Sequence, residues 1–387
     1  MLSEPALENL LAKEFPVDRE LIYLNHAAIA PLPLRTGQAI QDFARECVQE
    51  GSRHYAHWQD QETRLREQLR ALLAAPSVDD IALVKNTSEG LSMIAYGLHW
   101  AEGDEVIITN QEFPSNRIIW ESLRNQGVVV TEVNVTDAIS PDDTIIDAFN
   151  DNTRLLSLSS VQYGSGLRLN LKDLGTACKD AGILFCVDAI QGLGVFPHSV
   201  HEMNIDFLVA DAHKWLLGPE GIGVFYCAEK WRERLKLHEY GWHMVEHMGD
   251  FDRRDWLPAS SARRFECGSP NTLGVFAFSA SLSLLQEIGI DTVEQRILER
   301  THYLRQWIDQ HPKLECLSPS GPGQLAGITT FRHPEVGPET LFKALQRHGL
   351  MCAPRGGGIR FSPHCYNSIE NLNRAVKVVD SCIKSTL

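Results

Sequence analysis

The segment DFLVADAHKWLLGPEGIGVFYC, residues 206–227, carries a single lysine, Lys214, between two apolar runs, Phe207 to Val209 and Ile222 to Cys227. Two strands joined by a turn is the economical reading of such a stretch. A lysine is strongly hydrated and seldom buried without a partner, so one at the tip of such a pair either faces solvent or is held there for its amine. Other residues able to do chemistry follow apolar runs upstream. Asp188 ends the run ILFCV, with Gln191 three residues on, and a carboxylate there is costly unless it meets a cation or several donors. Asn86-Thr87-Ser88-Glu89-Gly90, after IALVK, reads as an ordinary helix N-cap or as an anion cradle of free N–H groups and hydroxyls. Phe113, in QEFPSN after EVIIT, either stacks on a planar ligand or sits in the core.

Positioning these side chains falls to a sheet. Between residues 80 and 230 short apolar runs alternate with longer amphipathic segments, the pattern of a mostly parallel sheet wrapped by helices. The runs are IALVK, EVIIT, VVVTEV, RLLSLSSV, ILFCVDA, DFLVADA and GIGVFYC, which predicts an α/β domain of seven strands. Open sheets of this kind bind ligands at the carboxyl ends of their strands, where the residues above stand. From about residue 278 the rhythm changes to long amphipathic stretches with strands near AGITTFR and GIRFS, a small α+β domain. The chain is thus divided into an N-terminal helical segment over 1–20, a large domain over 21–275 and a small C-terminal domain over 276–387.

The formal charge of −14 argues against a nucleic-acid or anionic-membrane partner, both of which need a basic face. A small-molecule substrate is expected. No stretch approaches a membrane span, and the acidic start MLSEPALENLLAKEF is unlike a signal peptide, so the expected location is cytoplasmic. The nine cysteines, odd in number and without metal spacing, read as reduced thiols. His243 and His247 have helical metal spacing but no third ligand, so no metal is expected; Trp242 and His243 are read instead as bordering a substrate entrance.

Lys214, Asp188 and Gln191 together suit pyridoxal phosphate. That cofactor needs a lysine for its aldehyde, a carboxylate for its ring nitrogen, a donor to its ring oxygen, a stacking partner and a phosphate cradle. The segments YLNHAAIAPLP, VKNTSEGL, GDEVIITNQEFPSN, VDAIQGLGV, DAHKWLLGPEGIGVFY, RRFECGSPN and GGGIRFSPHCYNS together resemble the class V aminotransferase family of pyridoxal-phosphate enzymes. The family includes cysteine desulfurases, selenocysteine lyases, cystine lyases, kynureninases and isopenicillin N epimerase. The resemblance runs from about residue 20 to the C-terminus and implies fold type I. It implies that Lys214 forms the internal aldimine, Asp188 pairs with the pyridinium nitrogen, Gln191 reaches the ring oxygen and Phe113 stacks where desulfurases place a histidine. Thr87, Ser88 and His213 would hold the phosphate, and Ser269 would complete that site from a neighbouring subunit, so a homodimer is implied. Arg360 would bind the substrate α-carboxylate, with Gln162, Asn25 and His26 lining the substrate side.

Two departures bear on the reaction. Asp211 stands where desulfurases have a phosphate-binding serine. A desulfurase also needs a mobile thiol on a loop ahead of the arginine, whereas Cys352 precedes Arg360 by eight residues through APRGGG and Cys365 lies beyond it. The expected activity is therefore of aminotransferase type at the α-carbon of an amino acid. Desulfurase, C–S or selenocysteine lyase and epimerase chemistry are the alternatives, and a dimeric pseudoenzyme scaffold is the non-enzyme one.

Overall fold

The computed structural model describes residues 2–18, 20–136 and 138–386. Its central sheet has seven strands in the spatial order Ile81–Val84, Gly223–Cys227, Phe207–Asp211, Leu184–Asp188, Thr153–Ser159, Glu105–Thr109 and Val129–Val133. Gly223–Cys227 runs antiparallel to both neighbours and the other pairs are parallel. Each of the seven apolar runs is one of these strands, and the α/β class expected from the sequence holds. Leu184–Asp188, Phe207–Asp211 and Gly223–Cys227 are buried at every position, which is why they read as unbroken apolar runs rather than alternating ones. At the edge, Val129–Val133 exposes Val129 and Glu132.

The register sets Ser159 beside Asp188, so the carboxyl ends of those two strands fall level, and Asp188 beside Val209, so the next strand runs two residues further to Asp211. Helix Thr87–Gly97 lies across the sheet unusually closely: a Cβ at Gly90 would stand 2.6 Å from Val209 Cγ1. Helix Thr272–Ile288 runs unbroken through residues 275 and 276, where the sequence reading set a boundary. It packs on helices Leu34–Glu50 and Tyr55–Leu72, pinned by Thr36 Oγ1 to Ser281 Oγ at 2.7 Å and by the Ser279 hydroxyl donating to Gln68 Oε1 at 2.7 Å.

A second, antiparallel sheet has the order Ala353–Arg355, Gly358–Phe361, Thr329–Arg332, Glu315–Cys316. It shares a core with helices Ile290–Gln310, Pro338–Arg347 and Ile369–Thr386. The N-terminal extended piece joins this unit, since Ile22–Tyr23 pairs in parallel with Leu350–Met351 and Ile22 and Leu24 lie in the same core. Helix Glu4–Glu14 is tied down by Arg296, which contacts Glu4 and Glu8, and by Phe15 stacked on Tyr366 at 3.9 Å.

Candidate functional site

Lys214 lies between two strands of the central sheet, in a connection fixed from several sides. Ala212 N–H donates to Ile222 O, Gly218 N–H to Ala212 O and Leu217 N–H to Lys214 O. Leu217 is fully buried with φ of 60°, left-handed backbone that costs a leucine about 1–2 kcal/mol and persists only where packing over-determines it. Gly194, at φ 93°, packs beneath: a Cβ there would meet Trp215 O at 2.6 Å. The lysine side chain is 9% exposed and makes no hydrogen bond or ion pair with a described residue. Burial, with Arg360 adding to it and Asp188 opposing, lowers its ammonium to about 8. The Phe113 ring centroid is 5.7 Å from Nζ, and this ring is 41% exposed and edge-on to Tyr163.

Asp188 is 1% exposed and accepts the Ile190 N–H at 3.0 Å. Burial, reinforced by the charge of Glu112, raises its carboxyl to about 7. A carboxylate so placed is incomplete without a cation. Gln191 accepts from Trp215 Nε1 and donates to Ala27 O, both at 2.9 Å, which leaves one amide hydrogen.

At the head of helix Thr87–Gly97 the Asn86 side chain accepts from Glu89 N–H, as an N-cap does. Thr87 N–H donates to Asp211 Oδ1 at 3.1 Å, so Asp211 occupies part of the anion cradle itself. Burial raises Asp211 to about 6, against the pull of Lys214. His213 Nδ1 is 3.8 Å from Asp211 Oδ2, and burial, then Lys214, lowers this imidazole to about 4. Ser88 is exposed and donates to Ser115 Oγ at 2.8 Å.

On the other side, Arg360 is 3% exposed, donates from Nη1 to Tyr163 O at 2.8 Å and leaves Nε unpartnered. Burial, with Arg355 adding to it, lowers its guanidinium to about 10. Gln162 is fully buried; its amide donates to Glu112 Oε1 at 2.8 Å and Thr109 Oγ1 at 3.0 Å, leaving Oε1 unpartnered. Asn25 Oδ1 is unpartnered too. His26 is a correction: it is fully buried, with both ring nitrogens engaged at 2.8 Å by Ser362 O and the Tyr366 hydroxyl, so it braces the site instead of lining it.

Glu112, absent from the sequence expectations, is the hub of this half. Its carboxylate accepts from Thr109 Oγ1, Gln162 Nε2, Asn116 Nδ2, Ser159 N–H and Ser159 Oγ at 2.6–3.0 Å. The signal was available, since Glu112 follows a buried strand just as Asp188 does.

Other expected residues lie elsewhere. Ser269 is exposed and touches none of these side chains through a hydrogen bond. His243 does not border an entrance: it is 2% exposed and sits with Glu62 and Glu266, whose carboxylates are bridged by Arg66. His243, Glu62 and Glu266 bring ligand atoms within 4.8 Å of one another, while His247 is exposed, so the two histidines do not share a face. Cys352 and Cys365 are 2% and 0% exposed, and burial pushes both thiols up to about 12.

The donor set fits pyridoxal phosphate. Gln162 Oε1, Asn25 Oδ1 and Arg360 Nε are buried polar atoms without partners, and Asp188 has no cation within ion-pair distance among the described residues, so a polar ligand with a basic nitrogen completes them. The sequence profile of the aminotransferase class-V family matches residues 22–375. A probable cysteine desulfurase of Methanothermobacter thermautotrophicus is 28% identical over 381 residues, covering 93% of this chain and 94% of the relative. Among solved structures, the cysteine desulfurase CsdA of Escherichia coli, in an S-sulfonic acid form, superposes with a TM-score of 0.88 at 24% identity over 99% of both chains. The cystine C-S lyase C-DES, in complex with its product cysteine persulfide, gives 0.87 at 22% identity, covering 95% of this chain and 99% of that one. These two likenesses fix the fold as that of fold-type I enzymes.

Proposed function

Since the chain belongs to the aminotransferase class-V family, pyridoxal-phosphate enzymes acting at the α-carbon of amino acids, we propose that its own reaction is of aminotransferase type and uses no protein thiol. The observation carrying this reading is the hairpin ahead of Arg360. Arg355 pairs with Gly358 across a two-residue turn, Gly356 and Gly357, at φ 60° and 80°. A Cβ at Gly356 would stand 2.5 Å from Gly164 O, so the turn is also held against the rest of the site. No loop remains there to carry a thiol, and Cys352, the cysteine that precedes this turn, is packed in the core of the unit.

When bound, the cofactor supplies an electron sink for the pair left at the substrate α-carbon. Lys214 would hold its aldehyde carbon, and its Nζ would carry the substrate α-proton, a task suited to an amine titrating at about 8. Asp188 would hold the ring nitrogen, a cationic partner for its buried carboxylate. Gln191 would donate its remaining N–H to the ring oxygen, and Phe113 would pack against the ring. Thr87, Ser88 and His213 hold the phosphate beside Asp211. Arg360 grips the α-carboxylate, whose donors in this site are its unengaged guanidinium hydrogens, while Gln162 and Asn25 present oxygen acceptors to a donor group. Exposed Ser269 serves the phosphate of a second copy, and the enzyme works as a homodimer. We place it in a reducing cytoplasm, a reading supported by thiols such as Cys178, Cys186 and Cys227 that are buried without a disulfide.

The second reading, cysteine desulfurase, is favoured by the names of relatives such as that of Methanothermobacter thermautotrophicus. Holoenzyme mixed with a panel of amino acids, with and without a keto acid, separates the reactions by product mass. Amino transfer is expected. Alanine with persulfide from cysteine, pyruvate with sulfide, or an inverted amino acid would each replace this reading with desulfurase, lyase or epimerase chemistry.

A further inference from the structure

The hairpin that carries Arg360 carries a second arginine. Across its antiparallel strands, Ala353–Arg355 and Gly358–Phe361, Ala353 pairs with Arg360 and Arg355 with Gly358. Paired residues share a face, and so do residues two apart on one strand, so Arg355 and Arg360 are diagonal neighbours on the same face, a separation that long side chains span. The proximity is felt electrostatically: after burial, the charge of Arg355 is the next cause that lowers the Arg360 guanidinium. The two differ in exposure, with Arg360 in the interior and Arg355 at the surface.

The hairpin tip belongs to the wall of the site. Gly356 is set against Gly164, whose carbonyl accepts from Thr330 Oγ1 at 2.7 Å on the adjoining strand Thr329–Arg332. The residue before it, Tyr163, gives its carbonyl to Arg360 and its ring edge to Phe113, which lies over Lys214. Arg355 thus stands on the rim of a wall that holds Arg360 further in. Neither guanidinium has a carboxylate within ion-pair distance among the described residues. Each donates to a carbonyl instead, Arg360 to Tyr163 O and Arg355 to its own neighbour, Pro354 O, at 2.9 Å. On the same sheet Arg332, equally exposed, is held by both oxygens of Glu315 at 2.7 and 2.8 Å, so the lack of an acid at Arg355 is not a general habit of this surface. Arg360 Nη2 also makes no hydrogen bond and, unlike Nε, is not sealed from solvent, so a carboxylate entering from the rim can reach it.

We propose that Arg355 determines specificity by binding a second, side-chain carboxylate, so that the substrate is an acidic amino acid such as aspartate or glutamate, or the matching 2-oxo acid. Two like charges held together without an acid repel each other, and a ligand with a carboxylate at each end relieves both, whereas an apolar side chain leaves the outer one uncompensated. The planar fork of a guanidinium matches a carboxylate through two parallel N–H donors. The inference rests on the reading of Arg360 as the α-carboxylate ligand and extends the proposed reaction to its substrate class.

Isothermal titration of the holoenzyme with glutarate and with pentanoate, which lacks the second carboxylate, tests it. Neither has an amine that could displace Lys214, so the result does not depend on which reaction the enzyme performs. Glutarate is expected to bind more tightly by roughly 5–10-fold, the exposed guanidinium being partly screened. Arg355→Met should bring glutarate down to the affinity of pentanoate while leaving pentanoate within about twofold and the Tm unchanged, and Arg355→Lys should keep part of the preference as a point charge. Arg360→Ala should weaken both ligands. The one hydrogen bond of the Arg355 side chain is to its neighbour's carbonyl, so these variants are expected to fold. Glutarate binding no tighter than pentanoate, undetected at about 10 mM, or preferred equally in Arg355→Met would each overturn the proposal. A preference that Arg355→Met abolishes, in an enzyme whose products show no amino transfer, would keep this inference and replace the reaction alone; amino transfer without the preference would do the reverse.

Discussion

Cys352 is the residue on which a desulfurase activity would have to rest, and its removal tests the argument most directly. The thiol is 2% exposed and titrates at about 12, because burial opposes the thiolate more strongly than Arg360 favours it. At pH 7.5 such a thiol is ionised in roughly three molecules per hundred thousand, against about one in ten for a free cysteine. A nucleophile at that position would therefore work with about a three-thousandth of the usual thiolate, before any cost of reaching the substrate. Cys352→Ala should leave kcat/KM within about twofold while lowering stability by about 1 kcal/mol for the small cavity left behind. Arg360→Ala is the contrast. It removes a guanidinium able to hold a carboxylate through two charge-assisted hydrogen bonds of about 1.5–3 kcal/mol each, a loss of roughly 10²–10⁴ in kcat/KM. The assay is steady-state turnover of the amino acid identified by product mass, with the cofactor absorbance recorded for each variant. Abolished turnover of cysteine in Cys352→Ala, with the absorbance intact, would refute the reasoning and make the protein a desulfurase with a buried nucleophile.

Glu112→Gln replaces one acceptor oxygen by an amide group that must face either Gln162 or Asn116, both donors. Losing about two charge-assisted bonds costs about 3–6 kcal/mol, or about 4–7 °C in the apoprotein Tm for a chain of this length; a shift under about 1 °C in a thermal melt would rule out the hub role. The Lys214 amine is neutral in its reactive form, so the rate at which apoprotein captures pyridoxal phosphate, followed by absorbance, should rise about tenfold per pH unit below pH 8 and level off above it. A rate still climbing tenfold per unit above pH 9 would mean an unshifted lysine. Asp211 is ionised above about 6 and protonated below it, so its repulsion of a bound phosphate is present at pH 8 and lost at pH 5. Asp211→Asn should slow cofactor loss during dialysis severalfold at pH 8 and hardly at pH 5, and equal effects at both would show that the carboxylate points away.

Much of this site was legible because its residues sit where strands end. Asp188 and Lys214 follow buried strands whose unbroken apolar runs mark them without any alignment. Glu112 obeys the same rule and was passed over because Phe113 beside it offered a more familiar role. His26 was misjudged for a different reason. Asn25 ends the extended stretch in a bridge to Ser362 and keeps an open oxygen, while His26 opens the turn that follows and is locked between Ser362 and Tyr366. Periodicity over two residues does not say which side faces the ligand. The dipeptide turn at Gly356 and Gly357 lay in plain view as a glycine run, but its positive φ angles were not.

The two halves of the site differ in how far the chain must travel to close them. Thr87 and Asp211, in the cofactor half, are separated by 124 residues. Ala27 and Ser362, in the substrate half, are joined by a hydrogen bond across 335. Contacts of such long range form late because the loop they close is entropically expensive. On a ribosome the difference is sharper: the strands from Ile81 to Cys227 are all synthesised well before Arg360 and Ser362. The cofactor's seat can therefore be assembled while the substrate's grip does not yet exist, and a nascent chain can take up its prosthetic group without being able to turn anything over.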